Sequence, residues 1–376
     1  MRRAHAQPCY IHSHYGGVHS VTTTVIQPPE TAEESPATEV LISSDSHVLE
    51  PRDLWTTRLP VALRDRAPRL PERGNDHPGG TDPRDRLGVM QRDTVSAEVL
   101  FPTYGLGLYA LEDAELQEAC FAVYNDWLVE YCAGTPGRLI GLPAISTYNI
   151  DHAVKELERT AKLGLKGALL WYVPHPDLHY NTDHYERFWA AAQDMDMPVN
   201  LHILSGFSYN ARPESRKGVE QYRGSVGIKL GDAINVLFDF VFYGVLERYP
   251  RLKLVIAEAE LGWMPWLFQQ WDYYVKRFAK SNPLSGSLLP SEYFQRQVYV
   301  TFFNDPVGAK AFTWGWGLDN AMWSNDFPHG NSTWPHSRDI IARDVAHLPA
   351  STRAKLLREN VARLYQFPIP SPIQEV

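Results

Sequence analysis

What this chain of 376 residues lacks narrows its function before any motif is read. Cysteine is scarce. Cys9, Cys120 and Cys132 form an odd, scattered set, which excludes a disulfide framework and makes a reducing, cytoplasmic setting the expectation. Cys120 and Cys132 fall on one predicted helix, about 18 Å apart, so they do not bond each other there. No run of eighteen apolar residues occurs, which excludes a membrane-spanning helix. Basic residues are outnumbered, 36 Lys and Arg against 44 Asp and Glu, and the net charge of −8 argues against a general binder of nucleic acid or anionic membrane. The motifs G-x-S-x-G, Walker A, C-x-x-C and H-E-x-x-H are missing, so a serine-hydrolase elbow and a zincin helix are unsupported. Gly105-Leu-Gly107 follows a predicted strand, but the acidic residue twenty positions on, Asp126, falls inside a helix. It is read as a glycine-containing loop, not a dinucleotide site.

What is present is a globular composition. Hydrophobic residues are 44% and charged residues 21%, enough apolar side chain for a large core. Residues 1–39 are rich in His, Thr, Pro and Glu and carry no periodicity. They begin with charge but have no apolar signal region, and are expected to form a flexible arm. His5, His12, His14 and His19 can chelate a metal loosely, though a solvated tail is the plainer account. Residues 40–368 are expected to form one barrel domain and 369–376 a C-terminal tail.

Within 40–368, eight short apolar runs alternate with amphipathic stretches. The predicted strands are Val40–Ser44, Ala97–Phe101, Leu139–Ile145, Gly167–Trp171, Pro198–Ile203, Leu252–Ala257, Gln297–Phe302 and Asn320–Ser324. The predicted helices are Glu112–Tyr131, Asp151–Leu163, Asp183–Met195, Gly231–Arg248, Trp263–Phe278, Pro306–Trp314, Ser337–His347 and Ser351–Tyr365. Eightfold alternation of this kind predicts an α/β fold, a closed (β/α)₈ TIM barrel, with an open doubly wound sheet as the alternative. Two polar segments, Arg64–Arg86 and Ser205–Lys229, are expected to be loop insertions.

Barrel active sites lie at the C-terminal ends of the strands. The first strand ends in Ser-Ser-Asp45-Ser-His47, and i, i+2 positions share a face. The fifth ends in His202, the sixth in Glu258, and the eighth in Asp326 with His329 just beyond. Each has a plain structural explanation taken singly: a turn cap, a core histidine, a helix cap, a loop acceptor. Together at successive strand ends they point to one divalent ion, with zinc first and manganese or iron as alternatives.

These residues resemble the amidohydrolase superfamily, in the branch related to aminocarboxymuconate-semialdehyde decarboxylase. The resemblance is carried by Ile42 to Pro51, by Asn200-Leu-His202, by Gly244 to Trp263, by Met322 to His329 and by Glu359 to Tyr365. It implies a metal-dependent barrel in which Asp45, His47, His202 and Asp326 are the ligands. Many relatives carry a histidine where this chain has Glu258, which cannot act as a cationic electrophile. Asp326, Glu258 and His202 are the expected catalytic residues, and the resemblance implies a small aromatic or cyclic carboxylic acid or derivative as substrate. Non-oxidative decarboxylation is the first expectation. Hydrolysis of an amide, ester or lactone and dehydrating ring closure are the alternatives, and a barrel kept only as a binding subunit is a fourth. Tyr104, Trp171, Tyr172, Phe303 and His329 are expected to line the substrate pocket. His175, His179, Arg212, Arg216 and Arg223 stand on post-strand loops as possible anion contacts. The resemblance admits a homodimer, an assembly common among relatives, although no sequence feature marks an interface.

Overall fold

The structure is a computed structural model that describes residues 38–70, 77–208, 218–284 and 286–374. All but the last two positions of the expected arm lie outside the described residues, including Cys9 and the four histidines. So do Arg212 and Arg216.

The eight strands form where the apolar runs are. They are β1 (Leu41–Val48), β2 (Val95–Pro102), β3 (Leu139–Gly141), β4 (Ala168–Leu170), β5 (Val199–His202), β6 (Leu254–Ala257), β7 (Val298–Phe302) and β8 (Ala321–Trp323). Every residue in them is buried, as strands covered on both faces must be. Each fully buried Val, Leu or Ile contributes about 1.5–3 kcal/mol, so these runs dominate the core.

The strands pair in parallel as β1-β2-β3 and β4-β5-β6-β7-β8. Backbone bonds stitch the two seams. Leu169 N donates to Pro143 O at 2.9 Å and Ile145 N to Leu169 O at 3.0 Å. At the other seam His47 N donates to Phe327 O at 2.6 Å and Asp326 N to Asp45 O at 3.0 Å. The ring is therefore closed, and the second seam joins two of the site-bearing strand ends directly.

A helix follows each strand: α1 (Pro83–Asp93), α2 (Ala114–Ala133), α3 (Ile150–Lys162), α4 (Glu186–Asp194), α5 (Lys229–Phe242), α6 (Met264–Phe278), α7 (Pro306–Phe312) and α8 (Ser337–Val345). Three expectations need correction. The segment Arg64–Arg86 is not all loop, because α1 begins inside it. Asp82 caps that helix and Pro83 opens it, and its buried face includes Arg86. A helix that buries an arginine reads as polar sequence. The end of Ser205–Lys229 is also helical: turns over Glu220–Tyr222 and Arg223–Ile228 lead into α5. Gly231–Arg248 is not one helix, since Gly244 at φ +74° separates α5 from a short helix, Val245–Arg248.

Candidate metal centre

His47 and His202 have their tautomers set by backbone carbonyls. His47 Nδ1 lies 2.8 Å from Pro102 O, and His202 Nδ1 lies 2.8 Å from Ile203 O. A carbonyl only accepts, so each Nδ1 carries the proton and each Nε2 lone pair faces inward. The two Nε2 atoms are 3.2 Å apart. Two lone pairs facing each other at that distance repel unless a cation lies between them.

Carboxylates close around the same point. Asp45 Oδ1 is 3.5 Å from His47 Nε2 and 3.7 Å from His202 Nε2. Asp326 Oδ1 is 3.5 Å from His47 Nε2, and Glu258 Oε2 is 3.5 Å from His202 Nε2. Atoms that share one ion at about 2.0–2.3 Å are at most about 4.5 Å apart, so these separations fit. Asp45 Oδ1 and Asp326 Oδ2 are fully buried and have no hydrogen-bond partner. A buried, unpaired carboxylate oxygen is costly, and a divalent ion relieves it. The donor set suits such an ion.

The backbone is bent to bring these groups in. Asp326 has φ +56° and Glu258 φ +57°, each a strain of about 1–3 kcal/mol for a residue with a side chain. Both stand just past their strands, and both bends are held by hydrogen bonds. Asp326 N is tied to Asp45 O, and Glu258 N donates to Thr301 Oγ1 at 2.8 Å. The same Thr301 hydroxyl donates to Asp45 Oδ2 at 3.3 Å. From α5, Lys229 Nζ donates to Glu258 Oε1 at 3.0 Å.

Burial dominates the electrostatics. It pushes the Asp45 carboxyl up to about 6 and the Asp326 carboxyl up to about 7. It drives His47 well below the usual imidazole range, helped by His329, which keeps its lone pair free. Burial opposes ionisation of Glu258 too, but positive charge beside it, including Lys229 at 3.0 Å, holds this carboxyl below its ordinary value. His329 goes the other way. Burial disfavours its charge, yet Asp326, at 2.9 Å from Nδ1, raises its pKa above the usual value.

Of the residues singled out in the sequence, Asp45, His47 and His202 form one close group, and His47, Glu258, Asp326 and His329 a second that shares His47. The His329 ring centroid is 3.9 Å from that of His47. The expected aromatic contacts are more dispersed. Trp171 is buried, and its indole donates to Tyr109 O at 2.7 Å. Tyr104 is half-buried and its backbone N donates to Glu50. Phe303 is buried, with its backbone N donating to Glu260 at 3.3 Å. Tyr172 is buried with no hydrogen-bond partner for its hydroxyl, and it feels the field of Asp232 and Glu258. The ring that does pack on the cluster is Phe101, whose centroid is 5.0 Å from that of His202 and 5.9 Å from that of His47. Arg223 is exposed and paired with Glu220, and His175 packs against Phe207. Lys229 and Thr301 were not visible as site residues. Each is placed by a neighbouring element, with no local pattern to mark it.

Residues 42–367 match the amidohydrolase family. Among curated relatives, gamma-resorcylate decarboxylase of Rhizobium radiobacter is 25% identical over 272 residues, covering 65% of this chain and 75% of the relative. Decarboxylase orsB of Emericella nidulans is 28% identical over 230 residues, covering 57% of this chain and 62% of the relative. Among solved structures, 5-carboxyvanillate decarboxylase LigW from Sphingomonas paucimobilis superposes with a TM-score of 0.70 at 20% identity, over 88% of this chain and 99% of that one. A dihydroxybenzoic acid decarboxylase from Polaromonas, solved with manganese and 2-nitroresorcinol, gives 0.66 at 21% identity over 87% and 97%. These structures share the barrel. No helix among the described residues is long and apolar enough to cross a membrane. The family match spans all eight strands, from β1 to the end of the last helix, and the chain belongs to the amidohydrolase family as one of its enzymes.

Proposed function

We propose that this enzyme is a metal-dependent, non-oxidative decarboxylase of a small aromatic carboxylic acid. The observation that carries the reading is the facing pair of imidazole Nε2 atoms, 3.2 Å apart, beside the unpartnered oxygens of Asp45 and Asp326. The decarboxylase relatives support the choice of reaction over hydrolysis and ring closure. Asp45, His47, His202 and Asp326 are assigned to hold one divalent ion. Manganese, present in the Polaromonas relative, takes the place of zinc as first candidate.

When bound, such an ion supplies positive charge for a substrate carboxylate and a neighbouring oxygen. The protein supplies the proton. Asp326, fully buried just past β8, is assigned as its carrier. It delivers that proton to the ring carbon bearing the carboxylate. The bond to the carboxylate then breaks, its electron pair returns to the ring, and CO₂ leaves. His329 holds Asp326 Oδ1 in place, and Phe101 offers a flat apolar wall for the ring.

The test is a panel of hydroxybenzoates with their esters and amides. CO₂ release, with solvent deuterium entering the vacated ring carbon, is the expected result. A new carboxylate from an ester or amide, or loss of water with ring closure, would replace this reading by one of the other two chemistries. Light scattering on the same preparation tests the homodimer.

A further inference from the structure

We propose that Glu258 is a fifth protein ligand of the cation and that Lys229 is the residue that positions it. The inference rests on the reading above that the cluster holds a divalent ion. It adds a donor where the family resemblance implies a histidine.

The two oxygens of Glu258 do different things. Oε1 takes the ammonium of Lys229 at 3.0 Å. Oε2 faces His202 Nε2 at 3.5 Å, and that nitrogen has no proton to donate while Nδ1 is bound to Ile203 O. That nitrogen therefore does not hold Oε2, which stands beside its lone pair. Donor atoms of His47, Glu258, Asp326 and His329 all lie within 4.8 Å of one another. His329 is engaged with Asp326, which leaves Glu258 as the available donor of this group beyond the assigned four.

A carboxylate whose task was only to pair with Lys229 would not need this backbone. Glu258 sits at φ +57°, fixed by the bond from its amide to Thr301 Oγ1, and that same hydroxyl reaches Asp45. One side chain thus aligns two carboxylates toward one place. Lys229 also offsets the negative charge that Glu258 brings to the cluster. Three carboxylates and two imidazoles exceed the four donors of a tetrahedral zinc site. They suit a harder ion of higher coordination number, such as Mn²⁺.

The test uses the full-length metal-free protein and Mn²⁺ alone, with free ion followed by electron paramagnetic resonance and Zn²⁺ measured by chelator competition. Glu258→Gln keeps the shape and should weaken Mn²⁺ binding by at least about tenfold, with a smaller loss for Zn²⁺. Lys229→Met should weaken Mn²⁺ binding by about tenfold, the range seen for partners that orient a ligand, and Lys229→Arg should restore most of it. Thermal unfolding of the metal-free variants checks folding, and Glu258→Asp is the substitute if Glu258→Gln fails to fold. Parent-like Mn²⁺ affinity with an unchanged bound-ion spectrum in Glu258→Gln would overturn the assignment of Glu258. Equal affinity in Lys229→Met and the parent would overturn that of Lys229. A parent protein that binds neither ion would instead remove the metal reading itself, so the two failures are told apart.

Discussion

Arg86 donates from Nη1 to the backbone carbonyl of His47 at 2.6 Å while its Nε donates to Glu98 Oε2 at 2.6 Å. Both side chains of this ion pair are fully buried. The arginine comes from α1 and the glutamate from β2, and between them they fix the strand segment that carries His47. Arg86 also lies over the Phe327 ring, 4.7 Å from its centroid, at the seam between β8 and β1. The positions of Asp326 and His47 thus depend on a cation outside the cluster.

Removing that cation leaves Glu98 buried without its partner. Arg86→Met should cost about 3–5 kcal/mol, the range for breaking one side of a buried pair. Arg86→Met combined with Glu98→Leu should recover a large part of the loss, since no isolated charge remains buried. Urea unfolding of the metal-free proteins measures both. A loss below about 1 kcal/mol in the single variant would mean the pair is not holding this wall.

The contrast between visible and hidden parts of the fold has physical causes. The eight strands were legible because residues such as Val199, Leu201 and Ile256 are buried on both sheet faces and leave apolar runs. Asp45 and His47 were legible because extended backbone sends alternate residues to one side. The helix around Arg86 was not, because its inward face is satisfied by an ion pair and reads as solvated sequence. Lys229 and Thr301 were hidden for another reason. They meet Glu258 from 29 and 43 positions away, and neither sits in a pattern of its own. Trp171 shows the opposite failure. It stands at a strand end as expected, but its indole is spent on Tyr109 O in the wall.

Metal removal should be felt as lost stability as well as lost turnover. The facing Nε2 atoms and buried carboxylate oxygens are left uncompensated without a cation. An ion at a hundredfold excess over its Kd stabilises by about 2.7 kcal/mol. A chelator should therefore lower the Tm by several degrees, with recovery on adding Mn²⁺. His202→Ala should abolish metal retention and with it this response. Full occupancy in that variant would refute the assignment of His202.

Glu50 gives a pH signature separate from the cluster. Its buried carboxyl is pushed up to about 7 by burial, against the opposing amides of Tyr104, Gly105 and Thr103. The folded pKa lies above the ordinary 4.5, so the native state binds the extra proton between the two values. The stabilisation is full below about 4.5 and is lost as pH rises through about 7. Glu50→Gln should flatten the fall in unfolding free energy across that window. Glu260, also raised to about 7, leaves a residual slope. An identical pH profile in Glu50→Gln and the parent would show that Glu50 does not titrate there.

Thr301 carries the most specific prediction, because one hydroxyl serves two carboxylate-bearing residues. It accepts the Glu258 amide at 2.8 Å and donates to Asp45 Oδ2 at 3.3 Å. Thr301→Val keeps the shape but leaves the amide without an acceptor, a cost of about 1–3 kcal/mol. The same bond holds Glu258 in its left-handed conformation, so its loss should let the side chain swing from the cluster. Mn²⁺ affinity should fall several-fold together with stability. Thr301→Ser keeps the hydroxyl and should restore the affinity, although it gives up the methyl group and some stability. A serine variant as weak as the valine one would show that packing at this position, and not the hydroxyl, sets the site.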